Sequence, residues 1–280
     1  MLSLHCRMVC APVNRTIAGI GKFPVNYFWL AAIFLVAFSL VAVLPVSSSA
    51  QSFEELYLVT SPTAGILPHG GYLFYGGIGP ESSLLFGVKI GFHDRLMLGA
   101  TFGIQEFIGR GKITVNNRPG FQVRLRMLEE SEKNPAMAIG IDTQGENRYL
   151  DDEERYERKS KGFFAVISKN YRSIRDISFH CGINYSLETR DEKGLNAFCG
   201  TAVEVFPGMS ILVDYNAAFD DNDSAVLTHR TRGRGYLDTG IRFDYMDNLR
   251  IKILFKDLLN NYIPEGGVAR TVEIFYVNYF

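Results

Sequence analysis

Eleven charged residues stand out as a set that could do chemistry: Lys89; Arg124 and Arg126; Asp142; Asp214; Asp238, Arg242 and Asp244; and Arg250, Lys252 and Lys256. Within each group the spacing is even, which puts the side chains on one face of an extended chain. Such a face can act in two ways. Charged rings around a water-filled passage set which charged solutes or polymers pass. Opposite charges that meet across an interior cross-link it and close it. The residue types leave both uses open.

Other groupings are weaker. His180 shares a face with Ser178, but two neighbours on one strand do not make a triad, and no acid follows at a defined spacing. Gly76-Gly77-Ile78-Gly79 lies inside a strand pattern and not ahead of a helix, so it is no phosphate loop. Asp151-Asp152-Glu153-Glu154 and Asp220-Asp221-Asn222-Asp223 lack the ordered spacing of a calcium loop and read as solvated loop tips. No cofactor or metal is called for. The 29 basic and 30 acidic residues leave a net charge of −1, which gives no footprint for nucleic acid.

The elements that must hold the charged face follow from periodicity. In Leu84–Phe92 the even positions are apolar, and the odd ones include Gly87, Lys89 and Gly91. Phe121, Val123, Leu125 and Met127 oppose Gln122, Arg124 and Arg126. Phe179, Cys181, Ile183 and Tyr185 oppose His180, Gly182 and Asn184. This alternation predicts about twelve strands. They cover 71–79, 83–92, 96–104, 119–128, 136–144, 161–170, 176–187, 194–206, 209–217, 233–245, 249–257 and 270–280. Cys181 and Cys199 fall on adjacent strands, on the apolar face, as a disulfide or as two free thiols.

A soluble sandwich points its apolar face inward and its polar face to water. Here one face is almost purely apolar, while the other mixes small and charged residues. That suits lipid outside and a crowded or wet lumen inside, and strands can cross lipid only as a closed barrel. Strands near ten residues match a tilted membrane strand. The connections alternate: 94–95, 129–135, 171–175, 207–208 and 247–248 are short, and 105–118, 145–160, 188–193, 218–232 and 258–269 are longer. Outer-membrane barrels keep short turns on the periplasmic side and longer loops outside. The fold class expected is therefore all-β: a single antiparallel transmembrane barrel over residues 71–280, with 51–70 as a leading periplasmic segment.

Residues 27–46 are uncharged and apolar, follow Arg7, Arg15 and Lys22, and lead into Ser48-Ser49-Ala50. That order reads as a secretory signal over residues 1–50, cut after Ala50. A retained membrane helix is the alternative. The location expected is the bacterial outer membrane, with lipid and lipopolysaccharide as neighbours.

Two stretches carry a family resemblance. Pro119–Gly145 followed by Lys161–Tyr171, with Ser61-Pro62-Thr63-Ala64 and Leu67-Pro68-His69-Gly70 ahead of them, resembles the YjbH-like outer-membrane barrel family. The likeness covers residues 61–171. It implies a non-enzymatic barrel associated with exopolysaccharide export or surface assembly, with polysaccharide as a partner. A membrane-embedded hydrolase and a soluble periplasmic β-protein are the competing readings. The end of the chain, Val272 to Phe280, resembles the terminal strand that barrel-assembly machinery recognises, with Phe280 as the signal residue and Asn278 where an apolar residue is usual.

Overall fold

The computed structural model describes residues 53–107, 114–115, 118–172, 176–188, 194–221, 231–262 and 267–280. The proposed signal over residues 1–50 lies outside them.

The chain forms β1 (Gly71–Ile78), β2 (Leu84–His93), β3 (Leu96–Gln105), β4 (Thr114–Val115), β5 (Gly120–Leu128), β6 (Ala136–Asp142), β7 (Glu146–Leu150), β8 (Arg155–Arg158), β9 (Gly162–Arg172), β10 (Asp176–Tyr185), β11 (Leu195–Phe206), β12 (Met209–Asn216), β13 (Tyr236–Tyr245), β14 (Leu249–Lys256) and β15 (Ala269–Tyr279). Twelve of these make an antiparallel meander that closes on itself: β14 pairs with β15, β15 with β1, and β1 with β2. The expected twelve strands are all present. The closing seam runs from Gly71 opposite Tyr279 to Ile78 opposite Val272, so the twelve-strand wall has no free edge. β4 adds two residues to the end of β3, and β7 and β8 form a separate hairpin.

The wall is built as the alternation demands. Phe86, Ile90, Val123, Ile139, Ile183 and Ile274 are exposed on the outside. Lys89, Arg124, Asp142, Asp214 and Lys252 are buried inside. Both ends of the described chain lie at the short-turn end, where the Phe280 amide donates to the Gly70 carbonyl.

The interior holds two insertions. From the short-turn end, residues 53–69 rise through the lumen, reverse at a turn closed by the Leu58 amide on the Ser61 carbonyl, and descend again to β1. Phe53, Leu56, Ile66 and Leu67 pack on Leu73, Met97 and Val277 of the wall. Leu58 and Val59 pack on Ala202, Leu212 and Leu254. The wall makes room with glycine: a Cβ on Gly91 would stand 2.0 Å from the Pro68 carbonyl oxygen. From the long-loop end the β7–β8 hairpin turns back into the mouth, and Arg155 to Lys161 are all buried. The expectation of a solvated loop over 145–160 fails for that second limb. Cations on it find carboxylates inside the barrel that water would otherwise have to solvate.

Candidate functional site

The charged face predicted from spacing meets the two insertions inside the barrel. Lys252 Nζ donates to Glu55 at 2.6 Å and to the Tyr57 and Leu58 carbonyls at 2.6 and 3.0 Å. Arg250 donates to the Phe53 carbonyl at 3.0 Å and lies 3.4 Å from Glu55. Arg242 pairs with Glu55 at 2.7 Å. Asp244 does not touch the segment; it holds Arg250 at 2.5 Å and Arg242 at 3.0 Å, which aims both at Glu55. Burial alone would raise the pKa of Glu55, which belongs to the luminal segment and not to a strand. Lys252, Arg250 and Arg242 together hold it well below the usual carboxylate range.

On the opposite wall, Arg124 donates to the Leu56 and Gly65 carbonyls at 3.0 and 2.7 Å. Arg126 donates to the Ala64 carbonyl and pairs with Glu54 and Glu129. Asp142 accepts from the Tyr57 hydroxyl at 2.5 Å. Lys89 stands 4.2 Å from the centre of the Tyr57 ring, a cation–π contact. At the tip of the segment, Asp214 accepts from the Thr60 and Ser61 amides at 2.9 and 2.7 Å. Asp238 accepts from the Thr60 hydroxyl at 3.1 Å and from Arg158 of the hairpin at 2.8 Å. Arg158 also donates to the Thr60 hydroxyl, so the two insertions touch each other. Lys256 reaches Glu146 of the hairpin at 3.1 Å.

The arrangement is a seat for main chain. Carboxylates meet amides at the turn, and cations meet carbonyls along both limbs. Several buried atoms of this seat, among them Arg124 Nε and Nη2, Asp214 Oδ1 and Ser61 Oγ, have no hydrogen-bond partner.

His180 is buried. Its two ring nitrogens face the Ser168 and Ser178 hydroxyls at 2.7 and 2.9 Å, and Ser168 accepts from the Ala64 amide. Among the described residues no carboxylate hydrogen-bonds the ring. The group links the luminal segment to the wall and gives a substrate no approach.

The reading of Asp220 and Asp221 as a solvated loop tip is corrected. Both are buried; Asp221 pairs with Arg155 at 2.6 Å, and Lys159 donates to the Asp220 carbonyl. The hairpin carries the cations that draw this loop inward. Asn222 and Asp223 lie outside the described residues. Cys181 and Cys199 are directly opposed on β10 and β11, both exposed and both free thiols.

The hairpin residues and Glu54 and Glu55 were not singled out from sequence. The signal that could have found them is charge balance. The eleven predicted inward residues hold seven cations and four acids, and an interior with that excess needs carboxylates from elsewhere.

Outside, Phe92, Tyr171, Phe206, Tyr245 and Phe280 ring the short-turn end, and Phe107, Phe163, Tyr185, Tyr215 and Phe219 ring the other. Between the rings the surface is aliphatic and aromatic. A closed barrel with an apolar belt between two aromatic girdles fits one environment. The protein is a bacterial outer-membrane β-barrel.

No family model and no curated protein matches the chain. Among solved structures it is similar to the NanC porin (8% identity, TM-score 0.44, covering 75% of this chain and 99% of that one). It is also similar to the COG4313 outer membrane channel from Pseudomonas putida F1 (12% identity, TM-score 0.38, 77% and 97%). A third likeness is to the translocator domain of the autotransporter NalP from Neisseria meningitidis (10% identity, TM-score 0.35, 91% and 98%). At these identities and scores no solute and no activity is transferred to this chain.

Proposed function

We propose that this protein is a non-enzymatic, channel-like barrel held closed at rest by its own residues 53–69, and that it serves the export or surface assembly of a polysaccharide. One observation carries the channel part: beside the apolar packing of Phe53, Leu56, Leu58, Val59, Ile66 and Leu67, the wall holds the segment by polar contacts to its main chain and to Glu55. A segment needed only to fill space would be apolar throughout. The wall also closes through its own strand pairs without the segment. A seat with unpartnered buried atoms gives up less when water replaces the segment than a fully satisfied one would. The polymer class rests on the resemblance of residues 61–171 to exopolysaccharide-associated barrels.

Single-channel recording on refolded protein tests the first part. The full chain should be nearly silent. A variant lacking residues 53–66, shown to be a closed barrel by heat-modifiable gel mobility, should conduct steadily. A folded deletion variant that stays silent would refute the gate. For the second part, a strain carrying the deletion variant should show altered surface polysaccharide, and unchanged polysaccharide in both that strain and a null strain would remove the polymer role.

A further inference from the structure

A cavity of about 130 Å³ remains between the tip of the luminal segment, the hairpin and the wall of β1, β2, β3 and β15. Gly79, Pro80 and Asn147 at its rim place its mouth at the long-loop end. Its size is close to the ~150 Å³ that admits a benzene-sized ring.

Five cationic side chains line it against three carboxylates. Three of the cations are engaged: Arg158 with Asp238, Lys256 with Glu146, and Lys159 with the Asp220 carbonyl. The other two are Lys89 and Lys161. Neither has a carboxylate within ion-pair distance among the described residues. Lys89 Nζ lies over the Tyr57 and Tyr75 rings at 4.2 and 5.2 Å, and Lys161 Nζ lies 5.3 Å from the Phe198 ring centre with no hydrogen-bond partner. They are 3% and 6% exposed. Gln122, 6% exposed, turns an unpartnered Oε1 to the same space.

Buried polar groups are ordinarily satisfied, and each exception needs a reason. An orphan ammonium lacks an anion, and an orphan carbonyl oxygen lacks a donor. Tyr57, Tyr75 and Phe275 give the lining an apolar share, which suits the carbon skeleton of a small ring. One molecule supplies all three: a carboxylate, a hydroxyl and a compact ring. We propose that this cavity binds a small hydroxylated carboxylate, about one sugar-acid unit in size, entering from the long-loop end. The site is complete while the luminal segment is seated, so it does not depend on the segment leaving.

The test is calorimetric titration of the refolded full chain in detergent with glucuronate, glucose and sulfate. Glucuronate should bind at least tenfold more tightly than either of the others, because glucose lacks the anion and sulfate lacks the hydroxyls and the ring. Lys89→Gln and Lys161→Gln should each weaken glucuronate at least tenfold, with heat-modifiable mobility retained, and Lys161→Arg should stay within threefold of the native protein. Absence of glucuronate binding would overturn the site and leave its orphan groups merely hydrated. Equal affinity for glucose would remove the anion, and equal affinity for sulfate would remove the hydroxylated ring. Glucuronate affinity unchanged in both Gln variants would place the ligand elsewhere. The comparison among three ligands needs no variant, so it decides even if a substitution prevents folding. None of these results bears on whether residues 53–66 gate conductance.

Discussion

Replacing Glu55 with Gln isolates the lock that holds the segment. The carboxylate takes Lys252 at 2.6 Å and Arg242 at 2.7 Å, with Arg250 at 3.4 Å. The amide keeps the shape and loses the charge. Two short charge-assisted hydrogen bonds are each worth about 1.5–3 kcal/mol, and removing one partner of a buried ion cluster costs about 3–5 kcal/mol. Asp244 still compensates part of the positive charge through Arg242 and Arg250, so the low end, about 3 kcal/mol, is appropriate. That loss falls on the seated state alone, because a released Glu55 is solvated with or without its charge. At about 1.4 kcal/mol per tenfold, the ratio of released to seated segment should rise about 100-fold. Single-channel recording reads this directly as open-time fraction. Glu54→Gln is the control: Glu54 is half exposed and pairs with Arg126. A half-exposed Glu54 is partly screened by water, and its buried partner Arg126 keeps Glu129, so the open fraction should rise clearly less than for Glu55→Gln. If Glu55→Gln stays as silent as the native protein while the barrel itself unfolds more easily, the segment is a structural strut and the gating argument is wrong.

Further outcomes follow from the same structure. The low pKa of Glu55 means that its contribution is fully present above the ordinary carboxylate value near 4.5 and fades only as pH falls below it. The native channel should therefore stay silent from pH 5 to 8 in single-channel recording, and a rise in open fraction within that range would refute the role given to Glu55. Ile139 lies mid-strand on the exposed face of β6; Ile139→Arg should cost about 2–4 kcal/mol in lipid, far more than Ile139→Ala, in urea titrations of vesicle-embedded protein. Deleting Tyr279 and Phe280 removes the end of the β1–β15 seam, including the Phe280 contact with Tyr72 at 4.9 Å between ring centres, and should lower the heat-modifiable fraction in the outer membrane. In intact cells, protease should cut the β7–β8 hairpin only near its exposed Asp151–Asp152 tip, and tags at Gly208 and Asn248 should stay hidden until the outer membrane is opened.

The barrel was legible because lipid imposes a strict rule on sequence. Every strand must alternate, since one face meets hydrocarbon and the other does not. Phe179, Cys181 and Ile183 against His180, Gly182 and Asn184 show that rule residue by residue. Closure was legible for the same reason, because a membrane strand cannot leave an unpaired edge. Residues 53–69 obey no such rule. They meet the wall through carbonyls and amides, which every residue carries, so the Arg124 contact to Gly65 and the Asp214 contacts to Thr60 and Ser61 leave no mark in the side-chain pattern. The hairpin hid differently. Its Arg155 and Arg158 fall in a long connection expected outside the barrel, and only the fold shows that they pair with Asp221 and Asp238.

Charge balance joins these two failures. Seven inward cations against four inward acids cannot face each other in a dry lumen, since uncompensated buried charge costs several kcal/mol per ion. Either water fills the barrel or another part of the chain brings anions and carbonyls. Glu54, Glu55 and Glu146 supply the anions, and the carbonyls of Phe53, Leu56, Tyr57, Leu58, Ala64 and Gly65 supply the rest. The same wall is therefore suited to two states. With the segment seated, Arg124, Arg126, Arg250 and Lys252 meet its carbonyls, and Arg242, Arg250 and Lys252 meet its Glu55. With the segment withdrawn, they would line a wet passage with a positive excess, and an anionic polymer could then take up the contacts that the segment had held.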